Sequence, residues 1–241
     1  ADRAINAEAV KQWLQVDVYI GGAEHAILHL MYARFMMKAL DDILHLGVRE
    51  PFTRLVNVGM VRAEDGRKMS KSLGNVVNPD DVVAEYGGDT LRIYELFMGP
   101  YSDSISWSTR SMIGTRRWLD RIWHLKDKVS AETPTTNTLE RSLHRTIAKV
   151  SQDIPEFKFN TAVSALMELT NTFGKADSLP VGVFQSLLTL LAPIAPHLAS
   201  ELWEQLGFPG ELSAQPWPIV DEQYLASSEV TIAVQINGKT R

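Results

Sequence analysis

The sequence of 241 residues contains no cysteine, which excludes disulfide bonds and thiolate metal sites. No apolar run approaches the roughly 20 residues needed to cross a bilayer, and the N-terminus lacks a signal-peptide core. Hydrophobic residues make up 45% of the chain and charged residues 22%, a balance that excludes a disordered chain or a fibre. We therefore expect a soluble cytoplasmic protein of one or two domains with no membrane partner.

The net charge of −5 does not mark the whole chain as a nucleic-acid binder, but positive charge is concentrated locally. Residues 110–128 contain six basic residues against two acidic ones, so this segment carries a charge of +4. Arg141, Arg145 and Lys149 recur at a spacing of four, which predicts a row of cations on the next helix. Two neighbouring basic helices favour RNA binding, and an ordinary solvated helix face is the alternative.

Signals for strands and helices alternate up to residue 107. Residues 16–20 predict a strand that ends at a glycine pair, residues 24–46 predict a long helix, and residues 55–61 predict a second strand. Strands that alternate with helices are typical of a doubly wound parallel sheet. We therefore predict a partial, Rossmann-like α/β sheet in this part of the chain.

Helical periodicity replaces the strand signals after residue 107. Five consecutive amphipathic segments with short connections predict an all-α bundle; they cover residues 109–129, 138–153, 160–176, 180–191 and 196–206. A proline-containing loop ends this bundle, and residues 230–236 alternate as a strand.

The segment Lys-Met-Ser-Lys-Ser at residues 68–72 predicts a mobile loop rich in cations and hydroxyls. Lys68, Ser70, Lys71 and Ser72 could give charge-assisted hydrogen bonds to a triphosphate. One donor aimed at the charge on a leaving pyrophosphate is worth about 2.7–4 kcal/mol in comparable sites, and Lys71 is our main candidate. Any exposed lysine-serine loop has the same composition, so the segment alone also fits an ordinary surface loop.

Gly21 and Gly22 follow the first predicted strand, where open α/β sheets bind ligands and glycine lets a nucleoside approach the backbone. Glu24 comes next and could accept hydrogen bonds from ribose hydroxyls, or it could simply cap the helix. His25 and His29 are four residues apart. This spacing fits a metal site, two core positions or the lining of a small-molecule pocket. We predict no metal, because neither a third ligand nor a glutamate base accompanies them, and their place beside the glycines favours the pocket.

The remaining large side chains of these segments are expected to be structural. Apolar residues of the predicted first helix should pack it against the sheet; they are Ile27, Leu30, Met31 and Phe35. The tryptophans that lie within or beside the basic segment should belong to the core; they are Trp107, Trp118 and Trp123.

Together these segments resemble the class I aminoacyl-tRNA synthetases, and most closely the bacterial leucyl-tRNA synthetases. Residues 19–35 resemble that family's second nucleotide-binding stretch, and residues 68–72 match the class signature loop without a change. The likeness continues in residues 75–81, 86–92, 94–100, 159–162, 192–197, 201–203 and 215–218. Valyl and isoleucyl enzymes share the signature loop, but the run Glu-His-Ala-Ile-Leu-His at residues 24–29 points to leucine.

The resemblance implies a role for each candidate residue. It implies that the adenosine of ATP, chiefly its ribose, is held by Gly21, Gly22 and Glu24, with His25 beside them. Met60 and Val61 would offer backbone groups to adenine, and His29 would border the leucine pocket. The ATP phosphates would meet Lys68 and Lys71 together with Ser70 and Ser72, with Mg²⁺ assisting.

Two family features are missing from the sequence: the His-x-Gly-His signature and the large inserted editing domain. We therefore expect a C-terminal portion of such an enzyme. Residues 1–107 would be the second half of the catalytic domain, residues 108–212 an anticodon-binding-type bundle, and residues 213–241 a linker with the truncated start of a C-terminal domain.

The expected function is part of a leucine-tRNA ligase, which forms leucyl-adenylate from leucine and ATP and transfers leucine to tRNA(Leu). The expected partners are tRNA(Leu), leucine and the missing N-terminal half of the enzyme, without which this chain should be inactive. Two alternatives stay open: a non-catalytic tRNA-binding module, and a valyl or isoleucyl enzyme. A generic nucleotide-binding protein is disfavoured, because it leaves the helical half unexplained.

Overall fold

A computed structural model describes residues 5–226, 235–236 and 239–240. The chain divides into two compact units, Ala1–Val76 with Tyr101–Trp107, and Val77–Pro100 with Ser108–Arg241. Most of the predicted strand at 230–236 lies outside the described residues. Its last two residues, Gln235–Ile236, pair antiparallel with Lys239–Thr240.

The first unit is built around one pair of parallel strands. After helix α1 (Ala7–Trp13), strand β1 (Val16–Gly22) pairs with β2 (Phe52–Val58). Helix α2 (His29–Leu44) connects the two strands and ends at His45, whose left-handed backbone stops it. A parallel pair requires such a crossover, because the chain must return to the same end of the sheet.

The predicted helix over residues 24–46 is interrupted near its start. Ala23–Ile27 form a short 3₁₀ helix, and α2 begins only at His29. Between them the backbone of Leu28 leaves the helical region (φ −116°, ψ −99°), and its N–H closes the 3₁₀ turn by donating to the carbonyl of His25 at 3.2 Å. His25 and His29 therefore do not lie on one continuous helix, contrary to the helix predicted over residues 24–46.

A second parallel pair completes the strands of the first unit. The short strand β3 (Val61–Arg62) pairs with β4 (Ile105–Ser106). In the described residues of this unit the strands thus form two separate two-stranded sheets. The chain is mostly helical with small parallel sheets, and the larger doubly wound sheet that we predicted is not confirmed.

The expected packing of the predicted helix was wrong for three of its four apolar residues. Of its residues only Leu30 is buried, whereas Met31 and Phe35 are 51% and 67% exposed and the preceding Ile27 is 76% exposed. A two-stranded sheet is too narrow to cover a 16-residue helix, so most of its apolar side chains have nothing to pack against within this unit.

The second unit is helical. Three of its helices begin at a polar cap: the side chains of Asn78, Ser108 and Thr136 each accept a hydrogen bond from a first-turn backbone N–H. The helices are α3 (Pro79–Tyr86), α4 (Gly88–Phe97), α5 (Thr109–Leu125), α6 (Asn137–Asp153), α7 (Phe159–Lys175), α8 (Val181–Leu191) and α9 (Pro196–Gln205). Strand β5 (Val129–Ser130) pairs in parallel with β6 (Leu179–Pro180).

The core of this unit is formed where the helices face one another. Trp118, Phe173 and Phe184 are fully buried in it. Trp107 of the first unit is also buried and Trp123 is half-buried, so the expectation that the tryptophans are structural holds for Trp107 and Trp118. Within the part of the chain that is described, no helix combines the length and the apolarity that crossing a bilayer demands.

Helix α4 belongs to the helical second unit. The sequence-based domain boundary at residue 107 had placed it in the catalytic part of the chain. The buried carboxylate of Asp89 accepts hydrogen bonds from the backbone N–H of Leu198 (2.7 Å) and of His197 (3.4 Å) at the start of α9, and it lies 2.8 Å from His197 Nδ1. One turn later, Arg92 donates to the carbonyls of Pro193 and Ile194, which follow α8. Helix α4 therefore holds both sides of the turn between α8 and α9.

We expect Asp89→Ala to lower the free energy of unfolding of the chain by about 1–3 kcal/mol, because it leaves buried donors at the start of α9 without their acceptor. Chemical denaturation measures this change. Asp177→Ala is the matched control, since Asp177 is exposed and its loss should change stability by less than about 0.5 kcal/mol. Equal effects of the two substitutions would contradict the capping role.

We expect the carboxyl of Glu50 to titrate far below its usual range. Arg34 of α2 donates two hydrogen bonds of 2.7 Å to it, and this contact lowers the pKa of Glu50 from 4.5 to about 2. The stabilisation is therefore complete above about pH 4.5 and is lost as the pH falls towards 2. Carboxyl ¹³C NMR should report this pKa, and Arg34→Gln should return it towards 4.5. A wild-type pKa near 4.5 would refute the pairing.

Candidate active site

The candidate site begins at the carboxyl end of β1 and β2, the end at which parallel sheets bind ligands. In the register of this pair, Gly21 lies opposite Asn57 and Gly22 lies opposite Val58. Both strands therefore end at the same level. The glycine pair and the chain that leaves β2 are side by side there.

The side chain of Glu24 occupies the space that a Cβ atom at position 22 would take. A Cβ atom at position 22 would lie 2.6 Å from the carboxyl carbon of Glu24, closer than such atoms approach in proteins. The carboxylate thus lies against the backbone of the glycine at the strand end. It is exposed, and it is free to accept hydrogen bonds from a ligand bound there.

The two histidines lie next to this carboxylate. The rings of His25 and His29 are 6.3 Å apart in an edge-to-face arrangement, although the interrupted helix places them on different elements. His29 also lies 5.4 Å from the ring of Tyr19 on β1, and Tyr19 contacts Phe52 on β2 at 4.2 Å. Tyr19 thus contacts both His29 and Phe52, and the imidazole of His29 remains exposed to a ligand.

The chain that leaves β2 is held by residues 101–105. The N–H of Gly59 donates to the carbonyl of Tyr101 at 3.0 Å, and a Cβ at position 59 would overlap the backbone of Asp103. The N–H of Met60 donates to Ser104 Oγ, and its carbonyl accepts from the N–H of Ile105. The backbone of Met60, which we predicted to contact adenine, is therefore shared with this segment.

The signature loop folds back onto β3. The N–H of Ala63 donates to the carbonyl of Arg67, and Lys68 lies opposite Arg62 in an antiparallel bridge. Within the intervening turn Arg67 binds the carboxylate of Asp65, and this hydrogen bond lowers the pKa of Asp65. The loop is thereby connected to the strand that follows Met60.

One side chain closes the loop on itself. Asn75 accepts a hydrogen bond from the N–H of Ser70 at 2.9 Å and donates one from Nδ2 to the carbonyl of Lys68 at 3.3 Å. The hydroxyls of Ser70 and Ser72 lie 2.7 Å apart and bond to each other. The backbone of the loop is therefore ordered, and its hydroxyls are within reach of one common ligand.

The ammonium groups of the loop are not neutralised. Lys68 and Lys71 are exposed, and neither has an ion pair with a described carboxylate. Two free ammonium groups and two hydroxyls are the groups that bind a phosphate chain. In residues 5–226, no cluster of three or more His, Asp or Glu side chains could hold a metal ion. We assign no step to the ion.

Sequence reasoning missed three contributors to this site. Ser104 and the backbone of Asp103 come from a return segment that no local pattern connects with Met60. Asn75 follows the signature loop, five residues after Ser70. Asparagine in a turn often bonds to the nearby backbone, and this was the signal that could have identified it as the closing residue.

Comparisons with known proteins agree with this geometry. Residues 4–108 match the family model of class I tRNA synthetases (I, L, M and V), and residues 137–241 match that of the anticodon-binding domain of tRNA ligase. A LeuRS of Agrobacterium radiobacter K84, solved in a ternary complex LeuRS-tRNA-LeuAMS, is 38% identical with a TM-score of 0.83. The match covers 98% of this chain and 33% of that enzyme.

The chain belongs to the class I aminoacyl-tRNA synthetases. Within this class, its resemblance to the leucyl-tRNA synthetases is confirmed. It spans about a third of the length of the enzyme that it matches.

We expect Asn75→Ala to loosen the signature loop, because Ser70 N–H loses its acceptor at a cost of about 1 kcal/mol. Hydrogen exchange at the Ser70 amide should then become about fivefold faster. The Ala63 amide, which donates to the Arg67 carbonyl without help from Asn75, is the internal control. Unchanged exchange at Ser70 would show that another group holds the loop.

Proposed function

We propose that this chain supplies one half of the active site of a leucine-tRNA ligase of the cytoplasm. That enzyme forms leucyl-adenylate from leucine and ATP and then transfers leucine to tRNA(Leu). The observation that carries the proposal is the continuity of the site: the end of β1, the exit of β2, strand β3 and the signature loop follow one another within one compact unit. The strand end is suited to a nucleoside, and the loop is suited to its phosphates.

The nucleoside of ATP binds at the end of β1 in this proposal. Gly21 and Gly22 let it approach the backbone, and the carboxylate of Glu24 accepts hydrogen bonds from the ribose hydroxyls. His25 lies beside the ribose. Adenine lies towards the exit of β2, where Met60 and Val61 present backbone groups. Because both polar backbone groups of Met60 already have partners, its carbonyl would use the second lone pair.

The side chain of leucine lies towards His29. The imidazole of His29 is held above the Tyr19–Phe52 ring pair, so it can border a small apolar pocket without moving. Such a rigid border discriminates between side chains by their shape, at about 1–3 kcal/mol per methylene.

The phosphates of ATP pass over the signature loop. During activation a carboxylate oxygen of leucine forms a bond to the α-phosphorus, and the bond from this phosphorus to the pyrophosphate oxygen breaks. Negative charge therefore accumulates on the leaving pyrophosphate. Lys71 stabilises this charge, and Lys68, Ser70 and Ser72 hold the phosphates in place.

The site in the first unit is incomplete without further protein. Its apolar side chains are left exposed on both α2 and β1, where Tyr32 is 62% and Ile20 is 46% exposed. In this proposal the N-terminal half of the catalytic domain packs against these apolar side chains, and it also supplies the other phosphate-binding groups. Without it this chain is inactive, because catalysis depends on the combined positioning of both halves.

The second unit binds tRNA in this proposal. By sequence, residues 1–107 form the second half of the catalytic domain, although residues 77–100 within them belong to the second compact unit. Residues 108–212 form the anticodon-binding-type bundle, and residues 213–241 form the linker and the truncated start of a C-terminal domain. The anticodon-binding family match supports the role of the bundle. The same match also favours a second candidate function, a tRNA-binding module without catalysis.

Pyrophosphate exchange separates these functions. The chain, combined with an N-terminal half from a leucyl-tRNA synthetase, should exchange pyrophosphate in the presence of leucine, and neither part should do so alone. Exchange with valine or isoleucine instead would identify another class I enzyme. A chain that binds tRNA but is never active with any N-terminal half would establish the non-catalytic module.

In the combined enzyme we expect Lys71→Ala to slow leucyl-adenylate formation by about 10²–10³-fold, because a donor to the leaving pyrophosphate is lost. The dissociation constant for leucine should change far less. Lys11→Ala is the control, since Lys11 is also an exposed lysine but lies on α1. A Lys71→Ala enzyme with an unchanged activation rate would remove Lys71 from the mechanism.

A further inference from the structure

Three arginines of α5 form a row on one face of the helix. Arg110, Arg117 and Arg121 are separated by seven and by four residues, a spacing that places side chains above one another. All three are exposed. The row extends over about 16 Å of the helix. We name it the α5 arginine row.

The charges of this row are not compensated. Within residues 5–226, neither Arg110 nor Arg117 makes an ion pair or a hydrogen bond to another side chain. Arg121 donates only to the neutral side-chain oxygen of Asn171 on α7, at 3.2 Å. At least two guanidinium groups therefore keep all of their donors available to a ligand.

The two acidic residues within and just after α5 face side chains outside this row. Asp120 accepts a hydrogen bond from Arg116 at 3.1 Å. Asp127, just beyond the end of α5, faces His124 at 3.8 Å. The local acids are therefore directed away from the α5 arginine row.

The second basic row, on α6, is used inside the protein. Arg141 donates to the carbonyl of Ala226 in the segment that follows the bundle. Lys149 binds the fully buried carboxylate of Asp153 at 2.8 Å. Of the three cations that we predicted as a row, only Arg145 is without a described partner. The structure thus separates two rows that the sequence presents as equivalent.

The α5 arginine row is also held in a fixed position. The opposite face of α5 is anchored by Met112, Trp118 and Ile122, all of which are fully buried. A rigid helix that presents separated guanidinium groups suits a chain of phosphates, because each planar guanidinium binds phosphate oxygens through two parallel hydrogen bonds.

We propose that the α5 arginine row binds the phosphate backbone of RNA and that the α6 row does not. The inference rests on the proposed function for its ligand, tRNA, and adds the surface that contacts it. Each phosphate contact releases counterions, so the row contributes affinity that falls with salt and does not depend on base sequence.

The test compares two double variants of the full chain by fluorescence anisotropy with a tRNA(Leu) transcript over a range of NaCl concentrations. Arg110→Gln with Arg117→Gln should weaken binding roughly tenfold at 50 mM salt and reduce the slope of log K against log salt by about 1.4–1.8. Lys11→Gln with Arg145→Gln removes the same charge from exposed, unpartnered positions and should leave this slope within about 0.5 of the wild type. Thermal melts of both variants check folding.

The outcomes are distinct. A reduced slope only in the α5 variant supports the inference. A wild-type slope in the α5 variant, or an equal reduction in the control, overturns it while the tRNA partner stands. If the wild-type chain does not bind tRNA, the proposed RNA partner fails and the inference fails with it.

Discussion

The parallel pairing of β1 with β2 is the constraint on which the candidate site depends. Its register ends both strands at the same level, with Gly22 beside Val58, so the polar groups that follow each strand lie next to one another. Glu24 can lie against the backbone only because position 22 has no Cβ, and the chain leaves β2 through Gly59, which passes the backbone of Asp103. A shift of the register by one residue would separate these groups and move the side chains of the shifted strand to the opposite face of the sheet.

Features governed by neighbours in the sequence were predictable. The strand that ends at Gly21 and Gly22 and the helices of the bundle follow from glycine and from a period of 3.6 residues. The resemblance to class I synthetases was equally accessible, because the signature loop at residues 68–72 is a contiguous run. Each of these signals is complete within about twenty residues.

Features governed by distant contacts were not predictable. Periodicity treats residues 24–46 as one helix, but the turn at Leu28 follows from the conformation of the chain after β1. Apolar spacing marks Met31 and Phe35 as core, yet it cannot report whether a partner surface exists to cover them. The hydrogen bonds of Asp89 join residues 108 and 109 positions apart, and no local pattern encodes them. The same limit applies to the two basic rows, whose spacing is alike and whose partners differ.

The closing residue of the signature loop is chemically narrow. Asn75 acts as donor and acceptor through one planar amide, a combination that few side chains offer. Aspartate has the same size but would turn a second acceptor towards the Lys68 carbonyl and bring an anion beside Lys68 and Lys71. Leucine has a similar volume but can neither donate nor accept a hydrogen bond. Many solvent-facing side chains of the loop can therefore be replaced. The shape of the loop, however, depends on a single carboxamide that donates from one end and accepts at the other.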